Sequence, residues 1–330
     1  MKERWDFLQR IHIICHPKSG SGRGQDVLDQ VTNRLHHYHI PYFTYKTQNS
    51  QSIDLITKQV MARKGDDFED DILIIGGDGT LHDAIESLVH LGLRYSVAYI
   101  PAGTGNDFGR LWLKGRSVTD IVDAVIFDRT LVQVPIYHYH NHVTDYQGIV
   151  LNSMGFGLDA ITNLKTQNMM QKLPSFLGKI LNKMGASYIL GLLASLGNIP
   201  RFQISVDNGE QNLTLDEVSL ATIVNNPYFG AGIQIDNLAR IDDDQMSLIA
   251  FHHIDVSAVM ELIPRVLIHH NQDQSDHVTR LTGHRFRVQS DHRIQAQVDG
   301  ESFIYDRIDM SFDTDSYPFI GVLKPDQINL

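Results

Sequence analysis

Residues 71–82 read DILIIGGDGTLH, an apolar run that passes directly into a glycine-rich turn. Residues 72–75 are all aliphatic and do not alternate with polar residues, which is typical of a strand covered on both faces in a parallel sheet. Aliphatic residues then recur at helical spacing through 81–89. The pattern therefore predicts a strand, a turn and a helix whose first N–H groups face an anion such as phosphate.

Asp78 is the acidic residue inside this turn. A carboxylate beside a phosphate is repelled unless a cation lies between them, so Asp78 is predicted to serve Mg²⁺, directly or through water. The alternative is a tight turn between strand and helix in which Asp78 caps the helix. The segment by itself leaves both interpretations open.

Other glycine-rich loops follow other apolar strands. Residues 97–100 (VAYI) lead into PAGTGNDFGR at 101–110, and residues 11–15 (IHIIC) lead into HPKSG at 16–20. Helical patterns between the strands predict a parallel sheet with right-handed crossovers, in which ligands collect at the carboxyl ends of the strands. All of these loops are expected at that one edge.

Composition narrows the class of protein. A chain of 330 residues, 42% hydrophobic and 20% charged, is long enough for two ordinary globular domains. The net charge of −11 argues against a nucleic-acid partner and means that an anionic membrane would need a local basic patch. The single cysteine, Cys15, excludes an internal disulfide. With no signal peptide or spanning segment in the sequence, we expect a cytoplasmic protein that contacts lipid only peripherally.

The sequence changes character around Arg129. Short segments of alternating polarity follow one another, at 147–151, 202–206, 218–224, 246–251, 285–288 and 294–298. They predict an antiparallel second domain, a sandwich or a barrel. The expected division is an α/β domain at 1–129, completed by 317–330, and a β domain at 130–316.

Two further patterns lie in the second domain. Residues 164–200 predict two short amphipathic helices with lysines around the first, which either rest on a membrane and guide a lipid or pack as a helical hairpin on the β domain. His138, His140 and His142 share one face of a strand, but without an evident carboxylate or cysteine partner zinc is disfavoured.

Four motifs occur in a specific order: HPKSG at 16–20, GGDGT at 76–80, PAGTGNDF at 101–108 and VDGE at 298–301. In these motifs the chain resembles the diacylglycerol kinase catalytic-domain family, in its bacterial soluble lipid-kinase branch. The resemblance implies a phosphofructokinase- or NAD-kinase-like α/β domain that binds ATP, and an antiparallel β-sandwich that carries the lipid substrate. It also implies Mg²⁺ as a cofactor and a neutral lipid such as diacylglycerol as the substrate.

The resemblance assigns the nucleotide to four loops. The residues so implied are His16, Pro17, Lys18, Ser19, Gly20, Thr47, Gly76, Gly77, Asp78, Gly79, Thr80, Leu81, His82, Gly103, Thr104, Asn106 and Asp107. His16 stands where the family usually has asparagine, and both side chains can donate a hydrogen bond.

For the proton acceptor, the resemblance implies Glu301, with Asp299 as the contender. Two residues apart at a strand end, the two carboxylates are expected to project from one face. Asp299-Gly300 is also a common hairpin turn.

Residues 239–245 (ARIDDDQ) resemble the family segment that holds a structural Mg²⁺. By that correspondence Asp243 supplies a carboxylate, and Arg240 and Gln245 supply backbone carbonyls. A solvated acidic turn is the alternative. Residues 131–136 (LVQVPI) lack the aspartate that family members usually carry in the strand entering the second domain.

The leading hypothesis is therefore an ATP- and Mg²⁺-dependent lipid kinase at the inner face of the membrane, with a homodimer left open. An NAD kinase-like enzyme is the nearest alternative, because the GGDGT motif also occurs in NAD kinases. A non-catalytic member that senses nucleotide or lipid is the alternative of a different class.

Overall fold

A computed structural model describes residues 8–62, 68–157, 200–229, 233–239 and 245–328. The chain forms two compact units: Met1–Val134 with Ser316–Leu330, and Pro135–Asp315. Within the described ranges, no helix combines the length and apolar character that a membrane span requires.

A parallel sheet forms the centre of the first unit. Its strands are β1 (Leu8–Cys15), β2 (Tyr42–Lys46), β3 (Phe68–Gly76) and β4 (Ser96–Pro101). They lie in the order β2–β1–β3–β4, and Phe319 of the last strand of the chain continues the sheet in parallel beside Val97. Residues 72–75 are fully buried, as their unbroken apolar run predicts.

Helices connect these strands. They are α1 (Arg23–His37), α2 (Ser50–Ala62), α3 (Asp78–His90), α4 (Asp107–Trp112) and α5 (Val118–Asp123). Ser117 and Asp120 form a capping box at the start of α5. At the start of α2 the Oδ1 of Asn49 accepts the N–H of Ser52 at 3.1 Å, so Asn49 caps this helix.

The second unit is antiparallel. Its strands are β5 (Leu131–Asn141), β6 (Tyr146–Val150), β7 (Ser153–Gly157), β8 (Phe202–Asp207), β9 (Asn212–Val224), β10 (Tyr228–Phe229), β11 (Ile233–Gln234), β12 (Met246–His252), β13 (Val278–Gly283), β14 (Arg285–Ser290), β15 (Ile294–Val298), β16 (Glu301–Tyr305) and β17 (Ile308–Ile320). Strand β5 begins, and β17 ends, in residues of the first unit, and an α-helix, α6 (Val256–Pro264), follows β12. The strands run in the order β16–β15–β7–β9–β8–β14–β17, with β12 and β13 beside β9, and β5 and β6 beside β17. Side chains such as Phe156, Phe286 and Phe312 fill one core enclosed by these strands.

The predicted fold class is confirmed: an α/β N-terminal unit with a parallel sheet and an antiparallel β-sandwich after it. Strands β7, β10, β11, β13 and β16, and most of β17, lie outside the segments predicted from the sequence. The predicted helical segment at 164–200 lies outside the described residues, apart from Pro200.

Candidate functional site

Loops from all four parallel strands of the first unit meet at the carboxyl edge of the sheet. The Nδ1 of His16, after β1, lies 3.1 Å from the Oγ1 of Thr47, after β2. The amide N–H of His16 donates to the carbonyl of Ile75 at the end of β3 (2.9 Å). Predicted nucleotide-binding residues from different loops are therefore brought together within this unit: His16 lies beside Thr47, Gly77 beside Gly103, and Asp78 beside Asp107.

Three of the glycines in these loops are required by the fold itself. A Cβ on Gly20, whose φ is +55°, would lie 2.2 Å from the carbonyl oxygen of Ala102. A Cβ on Gly76 would lie 2.5 Å from the Cβ of Thr80, and one on Gly103 would lie 2.6 Å from the Cα of Gly77. Close packing within and between the loops therefore explains why these three residues have no side chain, before any ligand is considered.

The carbonyl of Gly76 ties the loops after β3 and β4 together. It accepts the N–H groups of Ala102 (2.7 Å) and Gly103 (3.2 Å) and the hydroxyl of Tyr99 (3.2 Å). Burial, with the nearby negative charges of Asp78 and Asp107, raises the pKa of Tyr99 well above its ordinary value, so this hydroxyl remains a donor. The apolar sequence of β4 at residues 97–100 did not indicate that the hydroxyl of Tyr99 would donate to Gly76.

Asp78 caps a helix other than its own. Its Oδ2 accepts the N–H of Asp107 at 3.0 Å, and its Oδ1 accepts the N–H of Phe108 at 3.3 Å. Both amides belong to the first turn of α4, so the carboxylate joins the two glycine-rich loops. Asp78 is thus a helix cap, as the alternative interpretation held, but it does not cap the helix that it begins. The helix that it caps, α4, begins 29 residues further along the chain.

The start of α3 remains available to an anion. Its N-cap is Gly77, which has no side chain to cap the helix, and the N–H of Leu81 makes the bond to the Gly77 carbonyl (3.1 Å). The amides of Gly79 and Thr80 lie before Leu81 in the first turn of α3, and Gly79 is exposed. These amides, together with the helix dipole, favour a phosphate group.

Two substitutions separate the glycines required by the fold from those open to a ligand. Gly103→Ala should lower the free energy of unfolding by about 1–3 kcal/mol, because its Cβ meets the backbone of Gly77. In Gly79→Ala the new Cβ meets nothing within 4 Å among the described residues, so stability should hold while affinity for ADP falls about tenfold. Denaturant titration and calorimetry measure both quantities, and unchanged ADP affinity in Gly79→Ala would mean that this turn does not bind phosphate.

The remaining residues assigned to the nucleotide differ in exposure. Lys18 and Thr104 are exposed, and Pro17 and Ser19 are half-buried. Leu81 and His82 lie in the predicted stretch, but Leu81 is fully buried and His82 is 8% exposed. Their side chains belong to the buried part of α3.

Asn106 and Asp107 begin α4. Asn106 has φ +53° and donates from Nδ2 to the carbonyl of Gly103 at 2.9 Å, while its Oδ1 is buried with no hydrogen-bond partner in the described part of the chain. Asp107 pairs with Arg110 at 3.1 Å, so its side chain contacts its own helix. Burial raises the pKa of Asp107, and Arg110 opposes that shift.

In the second unit, Asp299 holds a loop. Its carboxylate accepts the N–H groups of Leu151 (2.8 Å), Asn152 (2.7 Å) and Ser153 (2.9 Å). Its own N–H donates to the carbonyl of Ser153 (2.9 Å). The role of residues 151–153 was not predicted, because three backbone amides leave no signature in side-chain types.

Glu301 does not share a strand with Asp299, contrary to the prediction that both project from one face. Asp299 (φ +48°) and Gly300 (φ +95°) form the two-residue turn between β15 and β16, and Glu301 begins β16 opposite Val298. Positive φ angles at both residues are typical of the two-residue turns that join the strands of a hairpin. The alternation of side chains between the two faces of β15 therefore does not continue through this turn. Glu301 is exposed.

The predicted structural Mg²⁺ segment is only partly described. Arg240 and Asp243 lie outside the described residues, and Gln245 is half-buried before β12. Among the residues that the structure describes, no group of three or more histidine, cysteine, aspartate or glutamate side chains is arranged to hold a metal ion.

His138 and His140 of β5, and His142 directly after that strand, do have partners, which the sequence did not predict. The Nε2 of His138 lies 2.8 Å from Asp315, that of His140 lies 2.9 Å from Asp145, and that of His142 lies 3.0 Å from the hydroxyl of Ser311. The carboxylates come from the neighbouring strand β17 and from the turn after β5. Asp315 lies 177 residues after His138, so the sequence alone did not indicate that their side chains are in contact.

Comparison with known proteins gives the family. The family described as "Diacylglycerol kinase catalytic domain" matches residues 10–135, and the "YegS C-terminal NAD kinase beta sandwich-like domain" matches residues 152–305. The chain belongs to the diacylglycerol kinase catalytic-domain family. The two matched segments carry the glycine-rich loops of the first unit and the hairpin with Glu301 in the second.

Relatives in this family are distant in sequence. Diacylglycerol kinase of Bacillus subtilis is 23% identical over 297 residues, covering 89% of this chain and 90% of that protein. Human diacylglycerol kinase theta is 24% identical over 325 residues, covering 88% of this chain, which spans only 32% of the human protein's length. The crystal structure of a diacylglycerol kinase from Bacillus anthracis has the same fold, with a TM-score of 0.66, 17% identity and coverage of 97% and 98% of the two chains.

Proposed function

We propose that the chain is an ATP- and Mg²⁺-dependent lipid kinase that transfers the γ-phosphate to the hydroxyl of a neutral lipid such as diacylglycerol. Membership of the diacylglycerol kinase family, with the GGDGT turn at the start of α3, carries the proposal. The amides of Gly79 and Thr80, in the first turn of α3 after a glycine N-cap, suit the phosphates of ATP. His16 and Thr47 are proposed to contact the nucleotide from the neighbouring loops.

Oxygen donors at the same turns suit Mg²⁺, which prefers carboxylate, amide oxygen and water ligands. Asp78 supplies a carboxylate there, and the buried Oδ1 of Asn106 lacks a partner among the described residues. When bound with ATP, Mg²⁺ neutralises charge on the phosphates and orients them. The structural Mg²⁺ at Arg240, Asp243 and Gln245 stays a prediction.

Glu301 is proposed to accept the proton of the lipid hydroxyl, which is a poor nucleophile until it loses that proton. The hydrogen bonds of Asp299 favour this choice, because its two carboxylate oxygens already accept three backbone N–H groups. Glu301 is exposed at the start of β16. Asp299 thus positions the segment that leads to Glu301.

The substrate class implies contact with a membrane surface, because a neutral diacylglycerol resides in the bilayer. With a net charge of −11, such contact is proposed to be local and peripheral. A homodimer stays a prediction.

The test compares acceptors. We expect the purified protein to release ADP from ATP with dispersed diacylglycerol or a total lipid extract, and not with NAD. Release with NAD alone would identify an NAD kinase. Tight ATP binding without turnover on any lipid would identify a non-catalytic sensor.

A further inference from the structure

Asn106 occupies the N-cap position of α4 without performing the usual function of that position. An N-cap asparagine ordinarily accepts a backbone N–H of the first helical turn through its Oδ1. Here the carboxylate of Asp78 accepts the N–H groups of Asp107 and Phe108. The side chain of Asn106 makes no capping bond. Its amide is therefore released for another role.

The orientation of this amide is fixed by its other end. The Nδ2 of Asn106 donates to the carbonyl of Gly103 at 2.9 Å, and the reversed amide would place two acceptors face to face. The Oδ1 is consequently directed away from that carbonyl, and it is buried without a hydrogen-bond partner among the described residues. A buried acceptor left unpaired costs free energy, so a ligand that supplies a cation or a donor gains at this atom.

The position of the atom indicates which part of a ligand it meets. The Oδ1 lies 3.3 Å from where a Cβ on Gly103 would be, and that Cβ position lies 2.6 Å from the Cα of Gly77. The oxygen is thus where the two glycine-rich loops cross, beside the turn assigned to the phosphates. Phosphate oxygens are themselves acceptors and would be repelled by it. A divalent cation, or the water molecules it carries, has the opposite character.

We propose that the Oδ1 of Asn106 contacts the divalent cation of the metal–nucleotide complex, directly or through one of its water molecules. This inference rests on the proposed function and adds a specific atom to it. Because the atom is buried, contact requires the turn at 102–106 to adjust, and Thr104 and Gly105 in that turn are exposed. Asn106 would thereby distinguish metal-loaded from metal-free nucleotide.

Calorimetric titration with ADP, in Mg²⁺ and in a chelator, tests this without relying on turnover. Asn106→Gly tolerates the φ of +53° and removes the oxygen. We expect it to weaken binding of Mg²⁺·ADP by about 10–100-fold and to change binding of metal-free ADP less than about twofold. Asn106→Asp keeps an oxygen and adds a charge, so it should increase the preference for Mg²⁺·ADP over metal-free ADP.

Asn49→Gly is the matched control, because Asn49 is also the cap of a helix in the first unit but its Oδ1 already accepts the N–H of Ser52. It should leave the preference for Mg²⁺·ADP at the wild-type ratio. Equal ratios in wild type, Asn106→Gly and Asn106→Asp would overturn the inference while leaving the proposed function in place. Should Asn106→Gly fail to fold, an unchanged ratio in Asn106→Asp would overturn it alone. Failure of the wild-type protein to bind either form of ADP or ATP would overturn both the inference and the proposed function.

Discussion

Glu301→Gln should lower the rate of phosphoryl transfer to diacylglycerol by about 10²–10⁴-fold with little change in ADP affinity. Glutamine keeps the shape and hydrogen-bonding capacity of the side chain but cannot accept the hydroxyl proton. Glu301 is exposed at the start of β16, so the fold should tolerate the change. Initial rates at saturating ATP, with ADP titrated separately by calorimetry, measure the two effects.

Glu210→Gln is the matched control for this experiment. Glu210, like Glu301, is exposed and follows a hairpin glycine of positive φ, here Gly209 at +85°. It should leave the rate unchanged. A wild-type rate in Glu301→Gln would remove Glu301 from the reaction.

Asp299→Asn should act differently from Glu301→Gln. An amide offers one acceptor oxygen where the carboxylate offers two, and its NH₂ would face a backbone donor among residues 151–153. We expect unfolding free energy to fall by about 1–3 kcal/mol, with any loss of rate following from the displaced loop. Full stability with a rate loss as large as that of Glu301→Gln would make Asp299 the proton acceptor.

The second large effect is expected for Asp78→Asn. Turnover should fall about 100-fold, because the substitution removes a negative charge beside the proposed metal–phosphate site and disturbs the cap of α4. Asparagine has the volume of aspartate, so the buried core should remain intact. Rates over a series of Mg²⁺ concentrations and a thermal melt separate loss of metal binding from loss of structure.

Asp26→Asn provides the comparison for Asp78. Asp26 is likewise an acidic residue in the first turn of a helix, α1, but it is exposed. It should change neither the rate nor its Mg²⁺ dependence. Wild-type turnover in Asp78→Asn at saturating Mg²⁺ would show that the carboxylate is dispensable.

The parallel sheet could be predicted because its signals are local. The aliphatic run at 72–75 and the glycines after it indicate a buried strand and a turn within a dozen residues. Since parallel strands end at one edge, the meeting of His16 with Thr47 and of Gly77 with Gly103 follows from topology.

The contacts that were missed join residues far apart in the chain. Asp78 caps a helix 29 residues away, and Asp299 binds amides near residue 152. In each case the partner is backbone, which carries no residue-type signal. The prediction that Asp299 and Glu301 share a face was wrong for a local reason, because positive φ at residues 299 and 300 places a turn where strand alternation was assumed.

The most direct measurement is transfer of labelled γ-phosphate from ATP to vesicles that contain diacylglycerol, with lipid-bound label and ADP counted in the same sample. The proposed reaction predicts one lipid-bound phosphate, recovered as phosphatidic acid, for each ADP formed. It also predicts loss of both in Glu301→Gln and retention of both in Glu210→Gln. ADP formation without lipid-bound label, or undiminished label in Glu301→Gln, would contradict it.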